Sequence, residues 1–219
     1  MIPGPVQIIK CPACGAHQSN KSLRSGNTFG ARYFSDGKRL APMLPEYPYF
    51  VKCHACNVYF KINDKVIVGE TSREKITANG SKAPFVRFLT VNEYSQAIKE
   101  GLYNGDEKDI LSLRLSMWRR YNDIYDGERR YETYSSDNKV SETEERDIYE
   151  DNCRKILSMM SENKDDESLL TFAELYRNIG DFDKCKKILN TVEKPEKYER
   201  YISKIKAECD KKNTDTIEV

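Results

Sequence analysis

Apolar residues change their period about halfway along the chain. In residues 106–125, Ile110, Leu113, Met117, Trp118, Tyr121, Ile124 and Tyr125 recur every three or four positions, which lines one face of a helix. Asp106 stands where an N-cap is wanted, and Gly127 where a left-handed residue would end the helix. Residues 128–141 are polar and aperiodic and read as a long loop. A second helix is predicted over 142–160, with Tyr149, Cys153, Ile156, Leu157 and Met160 on its stripe. Two stripes then follow closely: Leu169, Phe172, Ala173, Tyr176 and Ile179, and after them Phe182, Cys185, Ile188, Leu189 and Val192. Gly180-Asp181 between them can end one helix and cap the next, so the pattern predicts an antiparallel pair. A last helix over 196–208 carries Tyr198, Tyr201, Ile202 and Ile205, and residues 212–219 are expected to fray.

The front half reads as turns and short strands. Residues 31–35 and 38–41 flank Asp36-Gly37, a favoured two-residue hairpin turn, and residues 57–62 and 65–68 flank Asn63-Asp64 in the same way. Thr90 with Glu93 forms a capping box that opens a short helix ending at Gly101. Seven of the eight prolines precede residue 85, which leaves the rear half free for long helices. The fold class is α+β. Residues 1–68 form a small β-rich domain with an inserted hairpin, 69–105 a connecting segment, 106–211 a helical domain and 212–219 a tail.

The helix pair resembles a tetratricopeptide repeat, with Leu169, Ala173, Tyr176, Gly180, Asp181, Phe182 and Leu189 at that motif's spacing. Cys185 stands where a small Ala is usual, Val192 replaces a second small residue, and Pro195 comes early. Only one repeat matches, and one repeat cannot bury its own face, so flanking helices must cover it. The resemblance implies binding of another protein or peptide.

Apolar residues make up 38% of the chain and charged residues 32%, against roughly 45–50% and about 25% in an average domain. So thin a core calls for covalent help. Two Cys-x-x-Cys turns supply the means: Cys11-Pro12-Ala13-Cys14-Gly15 and Cys53-His54-Ala55-Cys56-Asn57. Each offers two sulfurs from one tight turn, and four sulfurs fill the tetrahedron of a structural zinc ion, leaving no open position for catalysis. Gly15 and Asn57 tolerate the left-handed backbone that such a knuckle needs. His17 or His54 could stand in for a sulfur, although exposed loop histidines are the plainer reading. Cys153, Cys185 and Cys209 lie on apolar stripes and read as core residues. The front segment resembles a zinc ribbon, in which two knuckles share one metal. The 38 residues between the pairs exceed the usual gap of roughly 15–20, so an element must be inserted.

That insertion, residues 25–48, is dense in polar and aromatic residues, with Asn27, Thr28, Arg32, Tyr33, Asp36, Lys38 and Arg39 as candidates for a ligand or partner. The plainer alternative is that Phe29, Tyr33 and Phe34 fill a small β-core. The stretch resembles bacterial zinc-ribbon proteins of unknown function, which implies no activity. Net charge is +1, but residues 1–66 carry nine Lys/Arg against three Asp/Glu, and residues 105–219 carry 22 against 28. Lys10 and Lys52 precede the knuckles, where they offset the net charge of about −2 on a zinc tetrathiolate. Basic and aromatic residues alternate through Arg32-Tyr33-Phe34, Lys38-Arg39 and Tyr59-Phe60-Lys61, a pattern suited to single-stranded nucleic acid. No phosphate loop, HExxH helix or nucleophile elbow occurs, which disfavours an enzyme. No apolar run is long enough for a membrane span, and the start, MIPGPVQIIKCP, has no charged end leading into an apolar stretch, so a cytoplasmic protein is expected.

Overall fold

The structure is a computed structural model that describes residues 1–71, 83–102, 106–125 and 142–219. Gly127, the polar stretch 128–141 and parts of the 69–105 connecting segment lie outside the described residues. The chain is α+β: short strands come first and helices follow. It divides into two compact units, one of residues 1–31 and 40–104, the other of residues 32–39 and 105–219.

The first unit is β-rich. Strand β2 (Val6–Lys10) pairs antiparallel with β3 (His17–Asn20) on one edge and with β9 (Ile67–Thr71) on the other. Strand β7 (Phe50–Lys52) pairs with β8 (Tyr59–Lys61), and β1 (Ile2–Pro3) with β4 (Leu23–Ser25). Residues 57–68 were expected to form a hairpin around Asn63-Asp64; instead β8 and β9 enter different sheets. Asn63 makes a local turn, its carbonyl accepting from Val66 and its side chain from Lys65, and the chain then crosses to β2, where Lys10 donates to the Val66 carbonyl. Ile9, Val51, Phe60, Ile62 and Val66 form a small core together with Cys11 and Cys53. Helix α1 (Val91–Lys99) starts at the Thr90 capping box and is followed by Gly101 at φ +71°, as its sequence predicts. It packs by Tyr94 edge-on to Phe50, by a Tyr59 hydroxyl donating to Gln96 at 2.8 Å, and by Glu93, which is held by Arg87.

The second unit contains α2 (Glu107–Tyr125), α3 (Glu142–Met159), α4 (Asp166–Asn178), α5 (Phe182–Leu189) and, after a 3-10 turn at Pro195–Tyr198, α6 (Glu199–Asp210). Asp106 caps α2 through the amides of Lys108 and Asp109. The expected stripes are inside: Leu113, Met117 and Trp118 from α2, and Tyr149, Cys153 and Ile156 from α3. Tyr121 and Tyr149 stack with centroids 3.9 Å apart. Gly180 takes φ +80° between α4 and α5, whose Leu170, Ala173, Cys185 and Leu189 share a core with Ile202, Ile205 and Cys209 of α6.

Two expectations need correction. The hairpin of β5 (Arg32–Tyr33) and β6 (Arg39–Leu40) forms, but its turn holds three residues, Ser35, Asp36 and Gly37. Phe34 donates to the Lys38 carbonyl at 2.9 Å, and Gly37 lies at φ +73°. A two-residue type I′ turn needs positive φ at both positions, and Asp36 does not adopt it. Its residues 32–39 group with the helices rather than with the strands around them in sequence. Residues 212–219, expected to fray, are held: Lys212 takes φ +56° after α6, and the segment turns back so that Ser35 donates to the Ile217 carbonyl and Val219 to the Tyr33 carbonyl, both at 2.9 Å.

Candidate metal centre

Each Cys-x-x-Cys sits at the tip of an antiparallel strand pair, the first between β2 and β3 and the second between β7 and β8. The two tips have the same hydrogen bonds. Gly15 donates to the Cys11 carbonyl at 3.0 Å, and Cys11 to the Ala16 carbonyl at 2.9 Å. Asn57 donates to the Cys53 carbonyl at 3.0 Å, and Cys53 to the Val58 carbonyl at 2.9 Å. This closure requires a left-handed residue just after the second sulfur, and Gly15 (φ +75°) and Asn57 (φ +61°) supply it.

The tips bring all four sulfurs together. Cys11 Sγ lies 3.7 Å from Cys56 Sγ, Cys14 Sγ lies 3.6 Å from Cys53 Sγ, and all four fall within 4.8 Å of one another. A zinc ion with sulfurs at about 2.3 Å in a tetrahedron sets them about 3.8 Å apart, so the four side chains fit such an ion. Cys11 and Cys53 are buried, Cys56 partly so, and Cys14 is exposed, which places one side of the cluster at the surface. His17 and His54 are exposed, and the four cysteines are the ligand cluster found among the described residues.

The knuckle backbone also tunes the thiols. Burial raises Cys53, but the amides of Cys56 and Ala55 and the neighbouring thiols outweigh it and bring it down to about 7. The Ala55 amide is 3.4 Å from that sulfur. For Cys56 the Val58 amide acts to lower the pKa, but burial and the three other thiols prevail and push it up to about 12. Four thiols this close cannot all carry negative charge without repelling one another, and a divalent cation would relieve that repulsion. Lys52 is 3.7 Å from Glu93 and lies over the Tyr59 ring, so its charge is already matched within the unit.

The candidate binding residues of the insertion divide between the two units, Asn27 and Thr28 in the first and Arg32, Tyr33, Asp36, Lys38 and Arg39 in the second. Asn27 closes a local turn, accepting from Phe29, and Thr28 accepts from Ala31 through its carbonyl. Asp36 is buried and accepts from Asn122 at 2.9 Å, Lys38 pairs with Asp123, and Arg32 pairs with Glu218 at 2.8 Å. Tyr33 and Arg39 are exposed. The proposed aromatic filling does not hold throughout: Phe34 is buried, but Phe29 is 87% exposed.

Sequence reasoning missed a polar cluster in the helical unit. Glu174, Arg177 and Asn178 are fully buried on α4. Arg177 grips Glu174 through two donors at 2.6 and 2.9 Å, the Ser35 hydroxyl donates to Glu174 at 2.6 Å, and Trp118 donates to Asn178 at 3.0 Å. The only signal in the sequence was the spacing of the three residues at i, i+3 and i+4, which on an amphipathic helix also describes a solvated face. Cys153, Cys185 and Cys209 are buried, and burial pushes their thiols up, as expected of core residues. Two open grooves, of about 580 and 510 Å³, share Leu157, Ser161 and Tyr176, and in the larger one Asp181 pairs with Lys184 at 2.9 Å. Among the described residues, no helix is long and apolar enough to cross a membrane. Comparison with known protein families, curated proteins and solved structures finds no match for this chain.

Proposed function

We propose that Cys11, Cys14, Cys53 and Cys56 hold one zinc ion in a structural role, in a non-catalytic adaptor whose helical unit binds another protein. The observation that carries this reading is the convergence of four sulfurs at tetrahedral separations, because a cation with four thiolate ligands has no position left for substrate or water. The tetratricopeptide-like spacing of Leu169, Ala173, Tyr176, Gly180 and Phe182 supports the protein-binding part. Metal analysis of purified protein should return one zinc per chain. Cys53→Ser should lower that content and melt the β-rich unit; a metal-free wild type that is fully ordered over residues 1–71 would refute the structural role.

A second reading, binding of single-stranded nucleic acid, is favoured by two exposed rings of the β-rich unit that carry lysines: Lys61 lies 5.0 Å from the Tyr49 ring centroid and Lys21 lies 5.8 Å from that of Phe85. Lys21 and Lys61, which lie over these rings, are the residues to neutralise. Their replacement should flatten the salt dependence of oligonucleotide binding, and an unchanged slope removes this reading.

A further inference from the structure

The polar cluster on α4 is aimed at main chain. Arg177 donates to the carbonyls of Asn213 (2.7 Å) and Asp215 (2.8 Å), and Asn178 donates to that of Thr214 (2.8 Å). Three successive carbonyls of the tail are therefore met by side chains that are themselves fully buried. Further along, the tail makes an antiparallel β-bridge, Glu218 opposite Phe34. Ser35 donates to Ile217, Val219 donates to Tyr33, and Ile217 donates to the Ser35 hydroxyl at 3.1 Å. Ile217 and Val219 alternate along this stretch and both pack on the core formed by α4, α5 and α6.

Backbone hydrogen bonds to a strand edge, with alternate side chains seated on an apolar surface, are how folded domains take up extended peptides. Two features weaken the tail's own hold. The Thr216 hydroxyl is buried without a hydrogen-bond partner among the described residues. The turn leading into the tail also places Lys212, a side chain with a Cβ, at φ +56°.

We infer that residues 213–219 occupy, in cis, a site for an extended peptide, and that the protein partner enters by displacing them. The partner segment presents aliphatic residues where Ile217 and Val219 now sit and an apolar residue where Thr216 sits. This rests on the protein-binding role proposed above and gives it a location. Failure of the test below removes this location alone, whereas the protein-binding role itself fails only if the full chain, tail variant included, captures no protein, so the two readings fail separately.

The test uses the full chain and a fluorescently labelled peptide with the sequence of residues 213–219. In the double variant Ile217→Asp/Val219→Asp the chain's own tail competes poorly, so anisotropy should show the peptide binding at least about tenfold more tightly than to the wild type. A peptide carrying Thr216→Val, which removes the unpaired hydroxyl, should gain about a further tenfold, and a scrambled peptide should not bind. In the wild type, the amides of Ile217 and Val219 should exchange with solvent through an opening that leaves α6 protected. No binding to a variant with intact helix content overturns the proposal, as does equal binding to variant and wild type. Tail amides that exchange only together with α6 also overturn it, and this measurement decides the matter should the variant lose its helices.

Discussion

The two units solve the same problem by different means. The β-rich unit has strands of two to five residues, and one of its core clusters includes the cysteines Cys11 and Cys53. On the proposed reading, one ion shared by four sulfurs ties these short strands together, because binding of a structural metal is coupled to folding. The helical unit buries whole stripes from its helices and adds a polar cluster whose donors and acceptors are matched. If that reading holds, the units differ in where cooperativity comes from: one ion in the first case, and many contacts distributed over helices, hairpin and tail in the second.

Removing the ion should separate the units most sharply. Structural zinc contributes on the order of 10 kcal/mol to folding in small domains. Chelation, or Cys53→Ser, should therefore abolish amide protection over residues 6–20 and 50–61 while helical circular dichroism at 222 nm stays near its starting value. The hairpin gives the finer readout. The Ser35 amide donates to Ile217 in the helical unit, so it should keep its protection although it lies between the two knuckles in sequence. Loss of protection at Ser35 together with the knuckles would assign the hairpin to the metal-held unit instead.

Acid should produce the same separation by protonation. Thiolates lose the metal as protons compete for them, so zinc release, followed with a chromogenic chelator, should be complete before the helices respond. In the helical unit, the Ser168 hydroxyl and amide hold Asp165 below the usual carboxylate range, and Lys184 and Lys211 do the same for Asp181 and Glu208. A carboxylate with a depressed folded pKa contributes stability that is fully present above its unfolded pKa, about 4, and is lost as pH falls through the folded value. Helix content should hold at pH 5 and decline below about 4.

Within the helical unit the largest single loss should come from Glu174→Ala. Burial disfavours the Arg177 charge and Glu174 more than offsets this, so removing the carboxylate leaves a guanidinium buried without its partner. Breaking such a pair costs about 3–5 kcal/mol, which denaturant unfolding followed by helix signal would register while metal affinity stays unchanged. An effect below about 1 kcal/mol would show that Arg177 is satisfied by the tail carbonyls alone.

What the sequence disclosed follows the range of the interactions. The knuckles were legible because their geometry is local: two residues between sulfurs, and Gly15 or Asn57 after the second. The helices were legible because period and caps are local too, as at Thr90, Asp106 and Gly180. Strand pairing is not local, and Asn63-Asp64 looked like a hairpin turn although β8 and β9 find their partners more than a turn away, in β7 and β2. Ser35 and Asp36 read as the end of a strand and a hairpin turn, and nothing nearby in sequence announces Glu174 or Asn122 as partners. The tail was misjudged on composition, since Asn213, Thr214 and Asp215 are polar. The alternation of Ile217 and Val219 was the overlooked signal of an extended, bridged segment.

The smallest expected effects test the same separation at single residues. Asn57→Ala places a Cβ without a helpful polar group at φ +61°, Gly15→Ala does so at φ +75°, and Gly180→Ala at φ +80°. Nothing lies within 4 Å of a Cβ at Gly180, and at Gly15 the nearest atom is the end of the Lys10 stem at 3.4 Å, so each substitution is a backbone penalty of about 1 kcal/mol rather than a clash. Equal penalties should then appear in different measurements. The two knuckle variants should weaken metal binding about fivefold in chelator competition and leave helix unfolding unmoved. Gly180→Ala should shift helix unfolding by a similar energy and leave metal affinity alone. If Gly180→Ala weakened metal binding, stability would be passing between the units, and the ion would be holding more than the strands that carry its ligands.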